Sequence, residues 1–180
     1  MVLNQRIELR GDKVNRIIKA MENAGWFNNR QVEISNIEKY YNERGITLFS
    51  SAKKFFLEFS GIASKWYIEV RNLHHAPDFT FELFPYPISY KTDVRDYMFD
   101  DAEFMVYSED YQGVERKANE GFILVGQIGY YYPACVWIGE SGKLYATHDY
   151  DEQVYVFNSV FELIEHELQS HEMTSVAMKL

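Results

Sequence analysis

Residues 166–172 read His-Glu-Leu-Gln-Ser-His-Glu, close to the H-E-x-x-H pattern with which a helix offers two imidazoles to one zinc ion. That chemistry needs the two histidines four residues apart, on one helix face. His166 and His171 are five apart, which sets them about 140° apart around the helix axis. No metal site is expected there, and the stretch reads as the polar end of a closing helix. His74-His75 stands where a strand runs into Ala76-Pro77, a turn rather than a ligand pair. His148 is followed by Asp149, but neighbours in a strand face opposite sides, so the two do not form a dyad, and His148 is expected at a strand end or on the surface.

The other candidate chemistries fail on spacing. Gly142-Lys143 is followed by Leu144 and lacks the glycine-rich run of a phosphate loop, and Gly121, Gly126 and Gly129 do not make a dinucleotide fingerprint. Asp149-Tyr150-Asp151 lacks the rest of a calcium loop, and carboxylate pairs such as Asp100-Asp101 are unremarkable in so acidic a chain. Cys135 is the one cysteine and sits in the apolar run Ala134–Ile138, which suits a buried thiol in a reducing compartment. No catalytic residue, cofactor or metal is expected.

The elements that would position any site follow from periodicity. Val14, Ile17, Ile18 and Met21 repeat at helical spacing over about 12–23, and Gly25 stops that helix. Ser35-Asn36-Ile37-Glu38 has the form of a capping box opening a helix to about Arg44, and a third helix over 51–59 carries Ala52, Phe55, Phe56 and Phe59 inward. Strands are expected at Trp66–Leu73, Phe79–Leu83, Phe122–Ile128, Ala134–Ile138, Leu144–Thr147 and Val154–Phe157. Glu140–Lys143 is the tight turn of a hairpin, and residues 102–107 fit helix or strand equally. Ser159-Val160-Phe161-Glu162 is a second capping box, opening a helix that buries Val160, Phe161, Ile164 and Leu168; the tail after Ser170 is expected to fray. The expected fold is α+β: N-terminal helices packed on a mainly antiparallel meandering sheet, closed by a C-terminal helix. One domain over 1–180 is expected, with its core at about 12–170 and 88–120 an acidic insertion or loop.

Charge divides the chain. Residues 1–60 hold ten basic and seven acidic side chains; 93–120 hold three and nine, and 121–180 two and eight, within a net charge of −9. A nucleic-acid binder would carry a basic stripe, so direct nucleic-acid binding is not expected. An acidic face suits a basic partner, and fourteen Tyr and thirteen Phe supply rings for contact surfaces. The N-terminus lacks the apolar core of a signal peptide and no run reaches about 18 apolar residues, so a soluble cytoplasmic protein with no membrane contact is expected.

Several short stretches resemble one family. Ala24-Gly25-Trp26 with Arg30 and Val32 is similar to the A-G-W … R-x-V opening of the SUKH superfamily, specifically its third subfamily of bacterial immunity proteins. Phe56–Ile62 resembles that subfamily's F-L-x-x-f-G-G-L helix end, with Ser60 in place of a glycine and Ile62 in place of leucine. Val125–Gly129 resembles its strand-then-I-G element, and Trp137–Tyr145 its closing hairpin; residues 64–120 match nothing specific. The matched residues have structural roles, so the resemblance implies a binding function: neutralisation of a cognate toxin, often a nuclease. Nuclease toxins tend to be basic because their substrate is polyanionic. The expected toxin-facing patch is therefore acidic and tyrosine-rich: Asp96, Asp100, Asp101, Glu103, Tyr107, Glu109, Asp110, Tyr111, Tyr130, Tyr131, Asp149, Tyr150 and Asp151. A regulatory or scaffold module of the same superfamily, and a hydrolase built on His148 or on His74-His75, are the alternatives. A strand edge within 64–84 would pair with another copy, giving a monomer or a weak homodimer.

Overall fold

The computed structural model describes residues 13–43, 45–67, 78–83, 109–129, 134–148, 151–167 and 176–179. Helices α1 (Lys13–Asn23), α2 (Ser35–Glu43) and α3 (Ser50–Phe59) come first, followed by strands β1 (Ala63–Tyr67) and β2 (Asp78–Leu83). Helix α4 (Glu109–Ala118) precedes β3 (Phe122–Gly129), β4 (Ala134–Gly139), β5 (Leu144–His148) and β6 (Asp151–Phe157). Helix α5 (Val160–Glu167) and strand β7 (Val176–Lys179) end the described chain. The strands form one antiparallel sheet in the order β6-β5-β4-β3-β2-β1-β7. This is the α+β arrangement that the periodicity predicts, with N-terminal helices and a C-terminal helix on a meandering sheet.

Both sheet faces are covered in the region of β4, and this explains its sequence. All six β4 residues are buried. Ala134, Val136 and Ile138 join a large core with Ile17, Met21, Phe55, Phe56 and Ile164 from α1, α3 and α5. Cys135 and Trp137 face the other way, into a smaller core with Leu124, Tyr145 and Val114 of α4. A strand covered on two sides loses the apolar–polar alternation of a half-exposed one. In β3 the alternation changes phase instead: Leu124 pairs with Trp137 but Gly126 with Val136, leaving Val125 as an extra residue. That bulge is why Ile123, Val125 and Ile128 all reach the large core.

Several expectations change. The tail does not simply fray: Val176–Lys179 pairs with β1, Trp66 opposite Ala177. Its V-A-M-K run is too short to carry a readable period. Consequently no strand edge is open within the described parts of 64–84, since β1 lies between β2 and β7, and β2 between β1 and β3. The outer strands are β6 and β7. Strand β1 starts three residues before its predicted start and β6 three before its own, at Asp151. The first capping box is replaced: Glu33 accepts the Ser35 amide at 2.7 Å while Glu38 pairs with Lys53 at 2.8 Å. The second forms in part. Ser159 Oγ accepts the Glu162 amide, and the Glu162 carboxylate reaches back one residue further, to the Asn158 amide at 2.8 Å. Helix α5 buries Val160, Leu163 and Ile164, with Phe161 half-buried; Leu168 and residues 102–107 lie outside the described residues. Within 88–120, expected as an acidic insertion or loop, Glu109–Ala118 form α4, a helix packed across β5 and β6.

Candidate functional site

Antiparallel order gives the sheet two ends. At one stand the β4–β5 hairpin, the C-terminal end of α4 and the start of α5. At the other stand Gly129, Ala134, His148 and Asp151, which flank the β3–β4 and β5–β6 connections.

The hairpin end is organised by Glu120. Its carboxylate accepts the Ser141 amide at 2.6 Å, the Ser141 hydroxyl at 2.7 Å and the Tyr145 hydroxyl at 2.7 Å. Burial pushes this carboxyl up, but the bonds from Ser141 and Tyr145 and the Lys143 charge outweigh it and hold the group below the usual range. Tyr145, 4 % exposed, is pushed up to about 12 by burial and by the adjoining carboxylate. A side chain at Gly139 would run into Glu120, so the backbone there must be bare. Ser51, at the start of α3, donates to the Gly139 and Glu140 carbonyls.

Beside this hairpin lies a cleft of about 350 Å³ whose lining includes Ser51, Lys54, Glu58, Gly142 and Phe161. Trp26 braces two of the lining residues: its indole donates to Glu58 at 3.1 Å and meets the Phe161 ring edge-on at 5.1 Å. Arg30 spans the end of α3, donating to the Glu58 and Ser60 carbonyls at 2.7 and 2.8 Å, so that carbonyls left over by the helix are satisfied. Gly25 and Gly61 adopt positive φ at the two turns involved.

The opposite end is acidic. Asp151 begins β6, and its two oxygens accept the Gln153 amide at 2.9 Å and the Tyr155 hydroxyl at 2.7 Å. These bonds, Tyr155 first, hold its carboxyl below the usual range, with the nearby His148 adding to the effect. His148 is not on the surface. It is 6 % exposed and its Nε2 lies 3.2 Å from Glu167 Oε1, because the β5 alternation turns it toward α5. His166 Nδ1 stands 3.4 Å from the same oxygen. His171 lies outside the described residues, and among the described residues no group of three or more His, Cys, Asp or Glu could hold a metal ion. Cys135 is buried.

Of the thirteen residues expected to face a toxin, four are described. Glu109, Asp110 and Tyr111 form the first turn of α4, and Asp151 opens β6. Gly113 abuts Val154 while Glu120 grips Ser141, so α4 runs from the acidic end to the hairpin end. The structure therefore brings the first turn of α4 toward the end where Asp151 stands. Asp96, Asp100, Asp101, Glu103, Tyr107, Tyr130, Tyr131, Asp149 and Tyr150 lie outside the described residues, as do His74 and His75. Sequence reasoning missed Glu120 and Glu167. Their partners, Ser141 and His148, are 21 and 19 residues away, and no local spacing signals such a pair.

The sequence model of a family described as SUKH-3 immunity protein matches residues 14–168. The chain belongs to the SUKH-3 immunity protein family. No curated protein and no solved structure matches it. The SUKH-3 span includes both sheet ends and α1 to α5, and stops before β7. Its members are immunity proteins, and the Trp26, Arg30 and Glu58 contacts give the signature residues of this chain a physical role in holding the fold. No described helix is long and apolar enough to cross a membrane.

Proposed function

We propose that this protein neutralises a cognate toxin by binding it, without catalysis and in the cytoplasm, and that the toxin is a basic nuclease domain. The family match over 14–168 carries the immunity reading. The nuclease reading is supported by charge: residues 93–180 hold seventeen of the 27 acidic side chains and five of the 18 basic ones. A polyanion-binding enzyme presents cations, and an acidic surface both attracts it and occupies the ground its substrate needs. Among the described residues, the surface proposed to face the toxin is the first turn of α4 and the start of β6, where Glu109, Asp110, Tyr111 and Asp151 stand; Asp96, Asp100, Asp101, Glu103, Tyr107, Tyr130, Tyr131, Asp149 and Tyr150 remain candidates on charge and residue type.

Pull-down of the tagged protein from cells expressing the neighbouring genes, read by mass spectrometry, tests the reading. The expected catch is a basic toxin domain whose growth inhibition is relieved by co-expression. Capture of an endogenous cellular partner with no toxin would favour the regulatory module. A toxin of acidic character would sink the nuclease reading and leave the immunity role standing.

A further inference from the structure

We propose that His148 is a positioning residue for the toxin-facing end: it locks the end of α5 to the end of β5, opposite the start of β6, so that Asp151 is presented in one fixed arrangement. This rests on reading the acidic end as the toxin contact.

Three elements meet at the imidazole. His148 closes β5 and stands opposite Asp151, the first residue of β6. From α5, Glu167 brings both carboxylate oxygens to Nε2, at 3.2 and 3.3 Å. With Nε2 as the donor, one N–H is shared between the two oxygens. The Tyr155 ring meets the imidazole edge-on at 5.7 Å, and the Tyr155 hydroxyl holds Asp151. His166 packs on Tyr155 and Phe157 at 4.9 and 5.2 Å and turns its Nδ1 to Glu167. The titratable groups around His148 are thus Glu167 and His166 from α5, and Asp151 and Tyr155 from β6.

A buried ion pair is a weak source of stability, because apolar side chains of equal volume often serve as well. What such side chains do not supply is a directed bond. Here that bond fixes the distance between the end of α5 and the end of β5, opposite Asp151 in the proposed contact surface. Asp151 stands opposite His148 in the β5–β6 pairing. It can meet a rigid partner in one arrangement only if its spacing to α5 is kept, since ordering loose groups on binding costs affinity.

The Gln153 amide, bonded to Asp151, reports on this arrangement in the full chain without any toxin. In His148→Phe its hydrogen exchange should rise tenfold or more, while His148→Gln, which keeps a donor, should stay within threefold of wild type. His148→Phe combined with Glu167→Leu removes both members of the buried pair, leaves His166, 38 % exposed, to turn its Nδ1 to water, and should keep the melting temperature, yet leave Gln153 fast. If His148→Phe does not fold, Glu167→Ala, which removes the acceptor from α5, provides the same readout. Against the toxin domain recovered above, dissociation should quicken tenfold in the two Phe variants and recover in His148→Gln. Unchanged Gln153 exchange in His148→Phe overturns the proposal. So does faster exchange with an unaltered dissociation rate, which would make the pair a fold contact alone. Failure to recover any toxin would instead sink the functional reading, while the exchange series still decides whether His148 fixes the start of β6.

Discussion

The two ends of the sheet solve different problems with similar residues. At the hairpin end the polar groups are turned inward on one another. Glu120 takes three donors from Ser141 and Tyr145, Ser51 reaches across from α3, and Arg30 closes the carbonyls at the end of that helix. At the acidic end His148 and Glu167 form one buried pair and Asp151 serves its own strand. The first-turn acids of α4 also fall toward that end. Of the stretches that resemble the SUKH signature, those around Trp26, Arg30, Phe56–Ile62 and Trp137–Tyr145 border the hairpin end, while Val125–Gly129 runs toward the other. The residues proposed to meet the toxin come from the rest. One end specifies the fold and leaves the other free to vary its charges, since surface charge has little weight in folding.

The widest separation between the two ends should come from charge reversal. Changing Asp100, Asp101, Glu109 and Asp110 together to lysine should weaken toxin binding by roughly a hundredfold or more, while the melting temperature moves by about 3 °C or less. Calorimetric titration and thermal unfolding of the same preparation decide it. Undiminished binding would place the contact surface elsewhere, the cleft beside Trp26 being the next place to look.

The hairpin end should behave in the opposite way. Glu120→Ala leaves two hydroxyls and the Ser141 amide without their acceptor and should cost about 1–3 kcal/mol of stability, with toxin affinity changed less than threefold. Its pH dependence has a defined sign. Because the Glu120 carboxyl is held below its ordinary value in the folded chain, its stabilisation is present above about pH 4.3 and is lost as the pH falls through the folded value. Tyr145 is raised to about 12, so its contribution is present below about pH 10 and disappears as the pH rises through 12. The stability gap between wild type and Glu120→Gln should therefore close in acid, and that between wild type and Tyr145→Phe in strong alkali. Denaturant titrations from about pH 3 to above pH 12 would show both, and gaps that do not vary with pH would refute the assignment.

The same contrast explains what could be read from the sequence. Ile17 and Met21 in α1 and the phenylalanines of α3 repeat at the helical period because one face of each helix is buried, and a period is a local signal. The β4 run Ala134–Gly139 was legible as a strand, although its lack of alternation concealed that α4 covers its second face. Glu120 and Glu167 were illegible because a carboxylate's role depends on which distant donor the fold delivers, and an acid at a helix end looks the same whether it is solvated or shared. His148 ends β5, as expected, but its burial was not legible, for a related reason. A polar residue at a strand end is ordinarily exposed, and only the position of α5 turns it into a buried partner. The proposed toxin contact was read from charge and aromatic content, quantities that identify the kind of partner but fix no geometry.

Strand β7 belongs to neither end and should be nearly silent in both assays. It lies beyond the family-matched residues, on the sheet edge opposite β6, and contributes four residues paired with β1. Successive amides of a strand point to opposite sides, so one of Ala177 and Met178 donates toward β1. Ala177→Pro with Met178→Pro therefore removes that donor whichever it is, and should cost about 1 kcal/mol, with toxin binding unaltered. The pairing itself can be trapped. Lys65 and Met178 stand opposite one another, so cysteines at both should close a disulfide within one chain on mild oxidation, with Cys135 buried out of reach. A bond joining two chains would mean that β7 is exchanged between copies, and the edge it covers would then be an assembly surface, a third region distinct from the two ends.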